Sequence, residues 1–409
     1  MLIVALVFLL ILAFLFRFRQ FPSVLIVYFV LYDMVDGFYA DQKIYAVFRY
    51  LIPLLLLLYY TIRRSAWLKS DGLLLVVVLY LICLLFFSRG EMIASSRNLF
   101  SVLITLFMIP VGRSLSGDSN WVRDFQPFNR FLLIVLPLYI FLANRFGFGE
   151  SYTEAFTTGY LITSRFYIFP IVIFFALHYL LSNQVKSNML KLIDIGFIFL
   201  NVGIIVLNTR RTALAMLVLA LLIYVVINRR ALAKAVFVVL ASVITLILTF
   251  PVYEDILMTQ LEKRQRILDV ETYDEERRYL ETIYIYNEMI SRQRPTELFF
   301  GVKLFDTYSF GAKYFNPQRS IHSDINMMFY STGLVGMLLF GLLLYRYFGG
   351  NWRAISKEGR KLFFPMLAVF FLVIIPGRLI GTLTFAPLLF LVLSASRYMI
   401  APQLNSADQ

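Results

Sequence analysis

The chain reads as an all-α polytopic membrane protein of about 12–13 transmembrane helices with one long outer loop. Three observations carry that reading. Hydrophobic residues make up 60% of the 409 residues and charged residues only 15%. The mean hydropathy is +0.76, which is more apolar surface than a soluble domain of this length can hide. The polar residues are also gathered rather than spread, because the only long polar stretch is 251–324.

A spanning helix needs about 20 largely apolar residues. That length places spans at roughly 1–16, 22–40, 44–62, 73–88, 97–113, 131–145, 165–182, 192–208, 212–228, 232–250, 325–345, 362–377 and 380–396. The first begins at Met1 with no basic leader or small-residue cleavage site, so it is expected to be a span rather than a removed signal peptide. Asp33, Asp36, Arg97 and Arg113 crowd the ends of the second and fifth. Cys83, the single cysteine, lies within an apolar run and cannot form an intrachain disulfide. The expected organisation is a membrane bundle of about ten helices over 1–250, an extracytoplasmic loop over 251–324, and further transmembrane helices with a short cytoplasmic tail over 325–409.

Orientation follows from the basic residues beside short loops. One set of loops holds 19 basic and six acidic residues and so carries the whole net charge of +13. That set is assigned to the cytoplasm. The other set also holds 19 basic residues, but ten of them sit in the long loop, which the rule does not weigh. The long loop is then outside, the N-terminus outside and the C-terminus inside. Within the loop a helix is legible, capped by Thr272 or Asp274, with Glu275 and Glu276 at its positive end and Arg292 and Arg294 at its negative end. Leu280, Ile283, Tyr286 and Ile290 fall on one face, expected to lie against the bundle. Pro295 is expected to stop this helix, and Gly301, Gly311 and Pro317 to keep the rest irregular.

No phosphate-cradling glycine loop, paired cysteines, HExxH or nucleophile elbow is present. The chain has two histidines. His178 falls at the inner end of its span and His322 at the outer end of another, so the topology separates them. Arginine recurs at the outer ends: Arg165, the pair Arg210 and Arg211, the pair Arg277 and Arg278, and Arg319 three residues before His322. Of the 19 outer basic residues 15 are arginine, whose planar fork binds phosphate oxygens in pairs and keeps its charge in a partly dry site. Arginines facing a histidine suit a pyrophosphate leaving group beside a proton acceptor. Each piece also has a plainer account. An arginine such as Arg165 or Arg210 can be an interfacial anchor, and Asp274, Glu275, Glu276 and Glu281 can pair with Arg277 or Arg278 on the surface. A helix N-terminus at His322 is expected to keep its ring neutral and able to accept.

These residues resemble the motifs of the O-antigen polymerase and ligase superfamily. Asn208-Thr-Arg210-Arg211 is similar to that family's arginine motif opening a span. His322-Ser-Asp324 followed by Gly333-Leu-Val-Gly336 is similar to its His-Asn-Asp segment and the glycines beyond it. Arg278 with Pro295 and Gly301 resembles its arginine-led loop helix, and Arg165 the arginine of an earlier span. The resemblance covers about 160–345, with Ser323, Ser331 and Lys303 departing from the family's pattern. It implies a GT-C-like glycosyltransferase of the bacterial inner membrane. The donor would be an undecaprenyl-pyrophosphate-linked glycan, with no metal, cofactor or nucleic acid, and a chain-length regulator and a flippase would be partners. Catalysis would fall to His322, Arg211 and Arg278, with Arg165, Arg210, Arg277, Arg319 and Asp324 contacting pyrophosphate or glycan. A polymerase is the leading expectation, a ligase the next, and a lipid-linked oligosaccharide transporter the reading from another class.

Overall fold

The computed structural model describes residues 1–39, 45–87, 92–116, 121–149, 151–153, 156–268, 277–291, 294–315, 321–375, 379 and 381–399. Each apolar run forms a helix. They are α1 (Leu2–Phe16), α2 (Phe21–Val35), α3 (Ile52–Arg63, entered through a π-helical turn at Val47–Leu51), α4 (Gly72–Phe87), α5 (Met92–Ser116), α6 (Trp121–Phe146), α7 (Ile168–Leu181), α8 (Asn188–Leu207), α9 (Arg211–Ile227) and α10 (Leu232–Leu248). The polar stretch carries α11 (Phe250–Leu268), α12 (Arg277–Tyr286), α13 (Pro295–Phe300) and α14 (Thr307–Tyr314), and after it come the apolar α15 (Asp324–Phe348), α16 (Lys357–Ile374) and α17 (Ala386–Arg397). Among the described residues seven segments are long and apolar enough to cross a membrane, and α1, α9 and α17 are shorter apolar helices. The chain is an all-α, multi-pass membrane protein. Among the described residues the one departure is a short antiparallel pair, β1 (Ser151–Thr153) and β2 (Phe156–Thr157), between α6 and α7.

α7 and α17 form the centre and are buried along nearly their whole lengths. α17 runs against α5 at close range. A Cβ on Gly112 would stand 2.5 Å from the Leu391 carbonyl oxygen, and the Ser394 hydroxyl donates to the Ile109 carbonyl at 2.6 Å. Small residues and a hydroxyl at such a crossing are how helices associate where lipid removes the hydrophobic drive between them.

Two ends of the bundle are distinguished by what meets there. At one, Arg113 near the end of α5 grips Asp71 ahead of α4 at 2.8 and 2.5 Å, and Tyr347 near the end of α15 donates to the same carboxylate at 2.5 Å. At the other, Asn98 near the start of α5 donates to the Phe305 carbonyl at 3.0 Å, and the start of α15 meets the approach to α17.

The polar stretch is more helical than expected. α11 continues from α10 after a one-residue interruption at Thr249. Pro295 does not only end a helix but starts α13, where its missing N–H costs nothing. Gly311 lies within α14. The expected caps Thr272, Asp274, Glu275 and Glu276, with Arg292, Arg319 and Pro317, lie outside the described residues.

α12 is also turned from its expected face. Glu281, Ile285, Glu288 and Met289 are buried, whereas Leu280 and Ile283 are half-buried and Tyr286 and Ile290 exposed. The polar partners that Glu281 and Glu288 find outweigh the apolar stripe. Glu288 takes the Lys313 ammonium at 2.7 and 3.0 Å and the Tyr314 hydroxyl, which pins α14 to the π-helical turn Asn287–Ser291. Burial opposes the Lys313 charge, but Glu288 and Tyr314 hold its pKa above the ordinary lysine value.

α15 is broken at Gly333, whose φ of 62° and ψ of −166° are left-handed. A Cβ there would lie 2.4 Å from the Phe299 backbone, and one on Gly301 2.4 Å from Ser331. Both positions demand glycine because the end of α13 is wedged into the break. The carbonyls this frees are satisfied by Val302 N–H on Tyr330 (2.9 Å) and by Tyr80 hydroxyl on Thr332 (2.7 Å).

Candidate functional site

The site is organised by Glu281, which sequence alone offers only as a surface partner for Arg277 or Arg278. Glu281 is wholly buried and its carboxylate accepts the backbone N–H of His322 at 3.0 Å and of Ser323 at 3.2 Å. It also accepts from the Asn326 side chain at 3.2 Å, while Asn326 donates again to Thr282 at 3.0 Å. Ser323 caps α15 by accepting from the Asn326 amide. A carboxylate at the positive end of a helix is favourable, and here it comes from a second helix. It therefore fastens α12 to the head of α15. The only sign in the sequence was an acid four residues after Arg277, which equally describes a surface ion pair.

This fastening holds α12 against the head of α15 at the half-buried His322, with the backbone of Arg277 and Arg278 about one turn before Glu281 on the same helix. The backbone of both arginines is described; their side chains, and Arg319 entirely, are not. The amides at the head of α15, expected to act on the His322 ring through the helix dipole, are taken by the Glu281 carboxylate.

Asp324 is wholly buried and accepts the Leu379 N–H at 2.6 Å. It fastens the connection between α16 and α17 to α15, so in this arrangement it faces protein rather than a glycan. Arg165 is engaged too. It meets Asp36 at 2.7 Å and Asp33 at 3.8 Å. Arg49 bridges the same two carboxylates, at 2.8 Å to Asp36, and the Thr384 hydroxyl donates to Asp33. Two guanidiniums and two carboxylates sum to zero charge, joining the end of α2, the π-helical turn before α3, the turn before α7 and the approach to α17. Arg165 thus has its counter-charges within the protein, which matches neither the interfacial anchor nor an arginine held open for pyrophosphate.

Arg211 differs. It is exposed at the first position of α9, with Arg210 as the preceding N-cap residue. Among the described residues no hydrogen bond or ion pair holds Arg211, and its α9 packs on α7 and α16 rather than on α12. The fold therefore ties α12, which opens with Arg277 and Arg278, to the head of α15 through Glu281, and places Arg211 on a separate helix. His178 lies in the last turn of α7, buried against Tyr179 and Tyr224. Comparison with protein-family models, with curated proteins and with solved structures returns no match.

Proposed function

We propose that the chain is a GT-C-like membrane glycosyltransferase that polymerises O-antigen or a related surface polysaccharide. It would act at the extracytoplasmic face of a bacterial cytoplasmic membrane, moving a glycan from undecaprenyl pyrophosphate onto a lipid-linked repeat unit. The observation that carries this reading is the seat of His322, fixed through Glu281 to the helix whose first turn holds Arg277 and Arg278.

In the transfer, a sugar hydroxyl of the acceptor bonds to the anomeric carbon as that carbon's bond to the pyrophosphate oxygen breaks. Undecaprenyl pyrophosphate leaves with the bonding electrons, and the hydroxyl proton passes to His322. Arg278 and Arg211 neutralise the leaving pyrophosphate, supported by Arg277, Arg210 and Arg319. Glu281 aids the base, because a carboxylate at the same helix head favours the imidazolium that His322 becomes.

After the ligase, a lipid-linked oligosaccharide transporter is the reading from another class, favoured by the broken α15, since transporters bind substrate at interrupted helices. Against it, the break is filled by the end of α13 rather than opened to a substrate. The test is to incubate the purified protein with a synthetic lipid-linked repeat unit. A glycan ladder with release of undecaprenyl pyrophosphate is expected. Movement of the intact lipid-linked unit across a vesicle bilayer with no release would establish the transporter instead, and transfer only onto a lipid A core acceptor would establish a ligase.

A further inference from the structure

Arg97 stands in the second turn of α5, at the same end of the bundle as His322. Three features of that position disfavour a cation. The positive end of the helix dipole lies beside it. Among the described residues the wall around it is largely apolar, formed by Val47, Leu51, Ile93 and Phe100 with the hydroxyl-bearing Tyr50 and Ser96. Its Nε is fully buried with no hydrogen-bond partner, and among the described residues no carboxylate pairs with it. Arg113, at the far end of the same helix, shows the usual solution, a bidentate grip on Asp71. Arg97 instead lines an open cleft of about 340 Å³ whose rim residues Val47, Leu51, Met92 and Ile93 are exposed apolar side chains at the end of a membrane-spanning segment. Among the described residues the cleft offers Arg97 no counter-charge, and an anion entering it would be favourably placed.

We propose that this cleft is a specific site for an anionic glycerophospholipid. The phosphodiester sits on the Arg97 guanidinium and an acyl chain lies along Tyr50, Leu51 and Phe100. The planar fork suits two phosphate oxygens. A single guanidinium matches the single charge of a phosphodiester, whereas a pyrophosphate brings more charge than one arginine and one serine hydroxyl offset. The site is distinct from His322 and Arg278 and stands independently of the transferase reading.

The test is native mass spectrometry of the full-length protein in detergent, titrated separately with phosphatidylglycerol, diacylglycerol, undecaprenyl phosphate and inorganic phosphate. One saturable phosphatidylglycerol adduct is expected, weakened about tenfold or more by Arg97→Gln and only partly by Arg97→Lys. Should Arg97→Gln fail to fold, Ile93→Trp takes its place, since it fills the cleft from an exposed position and is expected to abolish the adduct. Equal affinity for diacylglycerol, an adduct unchanged in Arg97→Gln or Ile93→Trp, or displacement by inorganic phosphate would overturn the site. A preference for undecaprenyl phosphate would overturn the choice of a glycerophospholipid.

Discussion

The arginines of this chain differ in what the protein already gives them. Arg165 has its counter-charges in Asp33 and Asp36, whereas Arg211 is exposed at the head of α9. Substitution is therefore expected to separate them. Arg211→Ala and Arg278→Ala should lower glycan transfer by about 10²–10³, the usual loss when a preorganised contact to developing charge is removed, with lysine restoring part. Arg165→Ala leaves Asp33 and Asp36 with one guanidinium, so its main effect is on stability, on the order of 3 kcal/mol, read as a lower melting temperature in detergent. Equal transfer by Arg211→Ala and the parent would remove that arginine from the pyrophosphate site. His322→Ala should reduce turnover by about 10²–10⁴ while leaving donor affinity near the parent's. Glutamine at 322 should restore little, because it cannot take the proton. Measuring rate and affinity separately decides this, and normal turnover with weak donor binding would make His322 a binding residue.

At the scale of elements, the head of α15 depends on a carboxylate carried by α12. Glu281→Ala leaves two amides without their acceptor, a loss of about 1–3 kcal/mol. Hydrogen exchange at His322 and Ser323 should speed up before the rest of α15 changes. If His322 acts through this seat, kcat should fall with KM little altered, and Glu281→Gln should recover part, since its carbonyl oxygen still accepts one amide. Unchanged exchange would show that Ser323 alone holds the cap. The fastening of α14 has a definite pH sense. The Lys313 pKa is raised in the folded protein by Glu288 and Tyr314, so its contribution is fully present below the ordinary lysine value and is lost as pH climbs through the raised one. The protection of the α14 amides, taken relative to their intrinsic exchange rates, should therefore be constant across neutral pH and fall only at strongly alkaline pH, and Lys313→Met should abolish that fall. The turn of α12 was not legible in the sequence. Its apolar stripe at Leu280, Ile283, Tyr286 and Ile290 has sound helical spacing, but a buried carboxylate with several donors outranks it.

For the whole molecule, the expected topology places 254–320 outside and 183–190 with 350–360 inside. Cys83 is exposed, so labelling belongs in a Cys83→Ser background. A cysteine near Lys357 that labels from outside intact cells would invert the orientation and move the His322 end to the cytoplasm. That the chain is a membrane protein, and roughly where its helices run, was legible in the amino-acid order, because an apolar run of spanning length has few alternatives in lipid. That order also marked His322 and the arginines beside it as unusual. Which charges are already neutralised, and which helix faces turn inward, depends on contacts between segments far apart in the chain. Glu281 is 41 residues from His322, Arg165 is 129 from Asp36, and Thr384 is 351 from Asp33. The break at Gly333 likewise has its reason in the backbone of Phe299, which occupies the space a Cβ would need. Periodicity and spacing report local geometry, whereas the partner of a buried polar group arrives from wherever the fold brings it.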